Sequence, residues 1–267
     1  MAAPLGTALI TGASSGIGEI YADRLARRGY DLILVGRNAE KLLTLSASLN
    51  SSTGRHVERI VADLGSSADL GRVEQRLALD ASITLLVNSA GLTGAGPLSA
   101  GNLEPLTAML EVNVVALTRL TALAAKAFAA RGKGAIINLA SAMAFIDTPL
   151  AAAYAASKAY VLNLSLALDL ELKPKGVQVQ AVLPGYTATN MIGGRSDIPA
   201  QYIMGVDDMV DAALAGFDAK ELVTIPSLPD TADFETYDAA RKALRGKVSL
   251  DRSASRYGIR IGEPAVA

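Results

Sequence analysis

The chain has no cysteine, which excludes disulfides, thiolate metal sites and a cysteine nucleophile. It has a single histidine, His56. One histidine cannot build a His-rich metal cluster, so no metal is expected. A Ser-His-Asp hydrolase would have to use His56, and nothing near it supports that chemistry. Its place before an apolar run reads as a surface residue at a strand edge. An excess of charge of one sign is missing too. Lys and Arg number 25 against 26 Asp and Glu, a net charge of −1, and no Lys/Arg run occurs. Neither nucleic acid nor a membrane is therefore an expected partner. Between Met1 and the apolar segment Thr7–Thr11 there is no basic region and no apolar stretch of signal length. Arg119, Lys126, Lys158 and Asp169 interrupt the longest apolar helical stretches, so no membrane span is expected and the expected compartment is cytoplasmic.

What the chain does have is apolar bulk. Hydrophobic residues make up 51% of its 267 positions, enough for one large core, and the reading is a single domain over 1–267. Short runs rich in Val, Ile and Leu recur at Thr7–Ile10, Asp31–Val35, Val57–Val61, Leu85–Val87, Ala135–Leu139, Val177–Val182 and Leu222–Ile225. Such runs suit strands buried on both faces of a parallel sheet. Helical periodicity fills the gaps at Gly16–Arg28, Asn38–Ser48, Ser66–Leu79, Asn113–Ala130 and Leu150–Lys173. The alternation predicts an α/β fold, a doubly wound sheet with helices on both faces. Asn113–Ala130 has few charges, and leucines fall almost all round Leu150–Lys173. A helix apolar on most faces must be covered on both sides, by a second subunit or by loops of the same chain; the expectation is a homo-oligomer, a dimer or tetramer. The pattern breaks down over about 190–205, which reads as a mobile substrate loop around Gly193, Gly194 and Arg195. A polar tail occupies about 246–267.

Four strings carry chemistry: Thr11–Gly18 (TGASSGIG), Asn88–Gly91 (NSAG), Ser141, and Tyr154–Lys158 (YAASK). Tyr154 and Lys158 lie four apart on a helix and so share a face. A cation about 4 Å from a phenolate, at an effective dielectric of ~20, stabilises it by about 4 kcal/mol. That would bring a tyrosine towards neutrality, where a general acid/base works best. The glycines of Thr11–Gly18 close a strand and open a helix, a geometry that lets backbone approach a pyrophosphate at a helix N-terminus. The next strand ends Val35-Gly36-Arg37, without the acidic residue that would bind a ribose 2′-hydroxyl. Arg37 is placed to pair with a 2′-phosphate instead, which favours NADP(H) over NAD(H). Asp63 follows the third strand and reads either as an adenine acceptor or as a loop cap.

Taken together and in this order, these strings resemble the short-chain dehydrogenase/reductase family from about Thr7 to Ile225. Asp63-Leu64, Asn113 and Pro184–Thr189 (PGYTAT) add to the match. The resemblance implies a Rossmann-like, three-layer fold with seven parallel strands and an NAD(P)-dependent interconversion of alcohol and carbonyl. It implies Tyr154 as general acid/base and Lys158 as the group that lowers its pKa and bonds the nicotinamide ribose. Ser141 would donate to the carbonyl oxygen, and Asn113 would hold a water relaying protons to Lys158. Gly12, Ser14, Ser15, Gly16, Ile17 and Gly18 would cradle the pyrophosphate. Arg37, Asp63, Leu64, Asn88, Ala90 and Gly91 would line the adenosine side. Pro184, Gly185 and Thr187 would fix the carboxamide, and Thr189 would approach the pyrophosphate. Ser89 stands where the family more often has a second Asn. The substrate pocket, Thr93–Pro97, Ala142–Pro149 and Tyr186–Met204, is expected to be mostly apolar, with Met143, Phe145, Ile146, Leu150, Met191, Ile192, Ile198 and Tyr202. A small hydrophobic carbonyl or alcohol is the expected substrate. Arg195 reads as solvated or as a contact for an acidic group. The competing reading, a catalytically silent nucleotide-binding regulator, would have lost Tyr154, Lys158 or the glycines, and all are present.

Overall fold

A computed structural model of the chain describes residues 5–93, 96–149, 151–193 and 197–259. Leu150, Gly194 and Arg195, all singled out above, lie outside the described residues, as do Gly94, Ala95 and the end of the tail. Seven parallel strands form one sheet: β1 (Thr7–Thr11), β2 (Asp31–Gly36), β3 (Val57–Val61), β4 (Ile83–Asn88), β5 (Gly134–Leu139), β6 (Val177–Val182) and β7 (Val223–Thr224). Their order is β3-β2-β1-β4-β5-β6-β7. The order reverses between β1 and β4, and in open α/β sheets a ligand crevice opens at that point, outside the carboxyl ends of the strands.

Five of the seven apolar runs are buried as their composition demands. The exceptions are the two edge strands: Glu58 and Arg59 interrupt β3, where every residue is at least partly exposed, and in the run at β7 only Thr224 is buried. Glu58 receives Arg76 at 2.7 and 3.1 Å, which holds its carboxyl below the usual range. His56 lies exposed beside it, 3.1 Å away.

The helices are α1 (Gly16–Arg27), α2 (Ala39–Thr53), α3 (Ser67–Leu79), α4 (Leu103–Leu110), α5 (Leu117–Arg131), α6 (Ala152–Leu172), α7 (Val206–Asp218) and α8 (Thr231–Ala243). Asn38 caps α2 through Lys41 N at 2.9 Å, and Ser66 caps α3. α2 runs five residues past the predicted Ser48 and stops at Gly54, whose φ of 68° ends the turn. The helix expected to start at Asn113 starts ten residues earlier, capped by Asn102. A π-helical turn, Glu111–Ala116, joins α4 to α5, so Asn113 sits inside a helical run and not at its cap. By length and apolarity Leu103–Arg131 would suffice to cross a membrane despite Arg119 and Lys126. Half of its most apolar window is buried, with Leu117, Leu120, Ala124 and Phe128 in the core. α7 was not read from the sequence, although Met209, Val210, Ala213 and Leu214 carry helical spacing and are buried. α8 buries nothing, so no periodic apolar signal existed to find it. The chain divides into two compact units, Met1–Ser227 and Leu228–Ala267, where the sequence reading had one domain with a tail.

Candidate active site

A cleft of about 410 Å³ opens beyond the carboxyl ends of β1 to β4. Of the residues assigned to a cofactor, Gly12, Ser14, Ser15, Gly16, Ile17, Arg37, Asp63, Leu64, Ala90, Gly91 and Thr189 line it. Val35, Gly36, Ala62, Ser89, Leu92, Thr93, Val112, Asn190 and Met191 line it too. Thr93, Asn190 and Met191 belong to stretches the sequence assigns to the substrate; the other six carry no contact assignment there, although most flank a motif residue. The cradle is shaped by missing side chains. Gly12 has φ 68°, and a Cβ there would stand 2.8 Å from Ala90 Cα. Gly16 has φ 58°, and a Cβ there would stand 3.2 Å from Thr189 Cγ2. Gly36 brings β2 against Ser14, whose Oγ lies 3.1 Å from the Cβ position. Gly18 does not line the cleft; a methyl there would overlap the Gly12 carbonyl, so its task is to let α1 pack on the loop. Ser15 caps α1 without a side-chain bond, which leaves the first-turn amides free to bind an anion.

This set of groups fits a dinucleotide: a glycine-lined floor, free amides at a helix start and a cation at one end. Arg37 lines the cleft and makes no ion pair among the described residues. Asp63 lines it as well, while its Oδ1 accepts from Gly65 N at 3.0 Å, so the loop-cap reading is realised. Asn88 does not line the cleft. Its buried carboxamide donates to Thr121 Oγ1 at 3.0 Å and to Asn138 Oδ1 at 2.9 Å. Pro184, Gly185 and Thr187 also stand outside the cleft. The Pro184 carbonyl accepts from Ala142 N at 2.9 Å, and Thr187 Oγ1 donates to the Gly185 carbonyl at 3.2 Å. Thr187 pairs with Met204, which ties together the two ends of the substrate loop.

The catalytic candidates come from three elements. β5 delivers Ser141 just past its end, and α6 carries Tyr154 and Lys158. Ser141 Oγ accepts from Met143 N at 3.2 Å, capping a 3-10 turn, and its hydroxyl is hydrogen-bonded with the Tyr154 phenol. Lys158 Nζ donates to the Leu139 carbonyl at 2.8 Å and lies 5.7 Å from the centre of the Tyr154 ring. The sequence reading had the ammonium pull the phenol down towards neutrality. In this structure burial dominates and pushes Tyr154 above its ordinary value, with the Ser141 bond acting the other way. Burial also lowers Lys158 from 10.5 to about 8. Asn113 is fully buried; its Oδ1 accepts from Leu92 N at 2.8 Å and its Nδ2 donates to Leu92 O at 2.9 Å. Its side chain is thus anchored on the Leu92 backbone, with Nδ2 also 3.4 Å from Ser157 Oγ. Asn113 Oδ1 and Lys158 Nζ stand 3.4 and 3.6 Å from the point where a Gly91 Cβ would be. Gly91 therefore joins the cleft to Lys158. Among the residues assigned to the substrate, Phe145, Ile146, Tyr186, Met191 and Tyr202 are exposed and Ile198 is buried.

The short chain dehydrogenase family model matches residues 6–198. A very-long-chain 3-oxoacyl-CoA reductase of Danio rerio is 37% identical over 188 residues, which is 69% of this chain and 59% of that protein. The chain thus spans about three fifths of the length of the curated relatives it matches. A short-chain dehydrogenase from Sphingobium yanoikuyae, solved in complex with NADPH, is 46% identical with a TM-score of 0.90, covering 95% of this chain and 100% of that one. The bulky-bulky ketone specific alcohol dehydrogenase from Comamonas testosteroni is 44% identical with a TM-score of 0.89, over 95% and 98%. With its parallel seven-stranded sheet and its glycine-lined crevice, the chain belongs to the short-chain dehydrogenase family.

Proposed function

We propose that this chain is an NADP(H)-dependent oxidoreductase that interconverts a hydrophobic ketone and its secondary alcohol. One observation carries the reading: Tyr154 is hydrogen-bonded with Ser141 and has the Lys158 ammonium 5.7 Å from its ring centre, and that ammonium stands against Gly91, which lines the cleft. A bound nicotinamide supplies the hydride, and the protein supplies position and electrostatics. In the reducing direction Tyr154 gives its phenolic proton to the carbonyl oxygen as that oxygen gains charge. Ser141 donates a hydrogen bond to the same oxygen, the kind of contact whose loss costs roughly 3 kcal/mol. Lys158 stabilises the phenolate left behind and, through its place beside Gly91, reaches the cofactor side. Arg37 favours a 2′-phosphate, since Gly36 leaves no carboxylate to repel it. The exposed apolar side chains Phe145, Ile146, Tyr186, Met191 and Tyr202 favour a bulky apolar substrate, in line with the ketone specificity in the name of the Comamonas relative.

A panel of ketones, aldehydes and alcohols, followed at the nicotinamide absorbance with NADPH and NADH in parallel, tests this. Turnover of bulky hydrophobic ketones with NADPH is the expected result. Turnover confined to small charged hydroxy acids would reject the apolar pocket.

A further inference from the structure

We propose that Asn138 and Ser165 form a positioning pair that sets the place of the Tyr154–Lys158 helix against the sheet. The inference rests on the oxidoreductase reading above. Asn138 is the penultimate residue of β5 and is fully buried, as is Ser165 on α6. Asn138 Nδ2 donates to Ser165 Oγ at 3.0 Å, and Ser165 Oγ donates onward to the Val161 carbonyl at 2.8 Å. The other end of the carboxamide is equally engaged. Asn138 Oδ1 accepts from Asn88 Nδ2 at 2.9 Å and from Thr121 Oγ1 at 3.4 Å. Asn138 is thus fixed from β4 on one side and holds α6 on the other.

The next peptide is the one that matters for chemistry. Leu139, directly after Asn138, offers the carbonyl that accepts Lys158 Nζ at 2.8 Å. Lys158, Val161, Leu162 and Ser165 fall on one buried stripe of α6, at helical spacing. The ammonium and the Asn138–Ser165 bond therefore join the same strand end to the same helix face, two turns apart. Against the strand the rest of that contact is apolar and non-directional, so it fixes the helix along its axis less sharply than a hydrogen bond does. Two further bonds hold α6 to the preceding helical run, Asn113 Nδ2 to Ser157 Oγ at 3.4 Å and Thr118 Oγ1 with the Tyr160 hydroxyl at 2.9 Å. A buried hydrogen bond is directional and expensive to break, so it fixes the register. A misplacement of about 1 Å at reacting groups can cost a hundredfold in rate, which is the reason such a bond would matter here.

The test uses the full chain and three substitutions. Ser165→Ala removes the acceptor and leaves a strong helix former. Ser165→Thr restores the hydroxyl. Thr121→Val removes a hydroxyl from the same network but keeps the Asn138–Ser165 bond. Ser165→Ala is expected to lower kcat roughly tenfold, as loss of an outer-shell partner does. The acid limb of alcohol oxidation should move to higher pH, because a displaced ammonium stabilises the phenolate less. KM and NADPH binding should stay within about twofold, since neither contact is touched. Ser165→Thr should recover most of the rate, and Thr121→Val should lose thermal stability with kcat unchanged. A wild-type kcat and pH profile in Ser165→Ala overturns the proposal, and so does an equal loss of kcat in Thr121→Val. If Ser165→Ala does not fold, Ser165→Cys, with a weak acceptor of similar size, gives the same readout. Tyr154→Phe is measured alongside. Wild-type turnover in that variant would reject the acid/base reading itself, independently of the network.

Discussion

Lys158 donates its ammonium to the Leu139 carbonyl at 2.8 Å while standing 5.7 Å from the centre of the Tyr154 ring. The cation is thus held by the sheet and not by the phenol. Lys158 is buried and Tyr154 is partly buried, and burial penalises whichever form carries charge. The phenol is pushed up and the ammonium is pulled down to about 8. The two groups face one another as a proton-holding pair whose charged forms depend on what else enters the site.

Tyr154→Phe should abolish turnover. General acid/base catalysis contributes roughly 10²- to 10⁴-fold, and the substitution removes the only proton that Tyr154 offers. Binding of NADPH should change little, because Tyr154 does not line the dinucleotide cleft. Steady-state rates together with a fluorescence titration of NADPH separate the two effects. Unchanged turnover would remove Tyr154 from the reaction.

Arg37→Ala should weaken NADPH far more than NADH. A hydrogen bond to a charged group contributes roughly 1.5–3 kcal/mol, or about tenfold to a hundredfold in affinity. Titrating both nucleotides against both proteins gives the ratio directly. Equal losses for the two would show that Arg37 does not meet a 2′-phosphate.

Lys158→Met should stabilise the fold at neutral pH while destroying activity. Below about 8 the ammonium is present in the folded and unfolded chain alike, and its burial costs stability in full. Between about 8 and 10.5 the unfolded chain holds the proton and the folded chain does not, so stability from this group rises with pH across that window. The burden at neutral pH is roughly 3 kcal/mol, reduced in the variant by the Leu139 carbonyl left without its donor. Thermal melts at pH 7 and pH 10 should show a higher melting temperature at pH 7 and a smaller gain at pH 10. A lower melting temperature at pH 7 would contradict the cost of burial.

The chain should be a dimer or tetramer by light scattering. Leu103, Leu110, Val115 and Tyr160 are exposed on α4, the π-helical turn and α6, and an apolar helix face of this kind needs a cover. Replacing Leu110 and Val115 by Lys together should yield a smaller species with its fold intact. A monodisperse monomer of the unmodified chain would refute the expectation.

Sequence by itself determined the alternation of strand and helix and the place of the glycine turn. It also determined that Tyr154 and Lys158 share a helix face. Each is a local property: a run of Val, Ile and Leu, a residue with no Cβ, a spacing of four. Local pattern also located the catalytic strings, because their residue types are constrained within a few positions. What the tertiary structure alone decided depends on which neighbours surround a side chain. β3 carries Glu58 and Arg59 and lies at the sheet edge, but which run takes the edge is fixed by how the crossovers pack and not by the strand itself. Asn88 sits in a motif that points to a cofactor and Asn113 at a position that the resemblance gives to a proton relay, yet the fold buries both side chains, one against Asn138 and one against the Leu92 backbone. A buried amide must find partners, and those partners lie tens of residues away along the chain. Even the direction in which Tyr154 is shifted follows from burial, which outweighs the Ser141 hydrogen bond and which a spacing of four cannot encode.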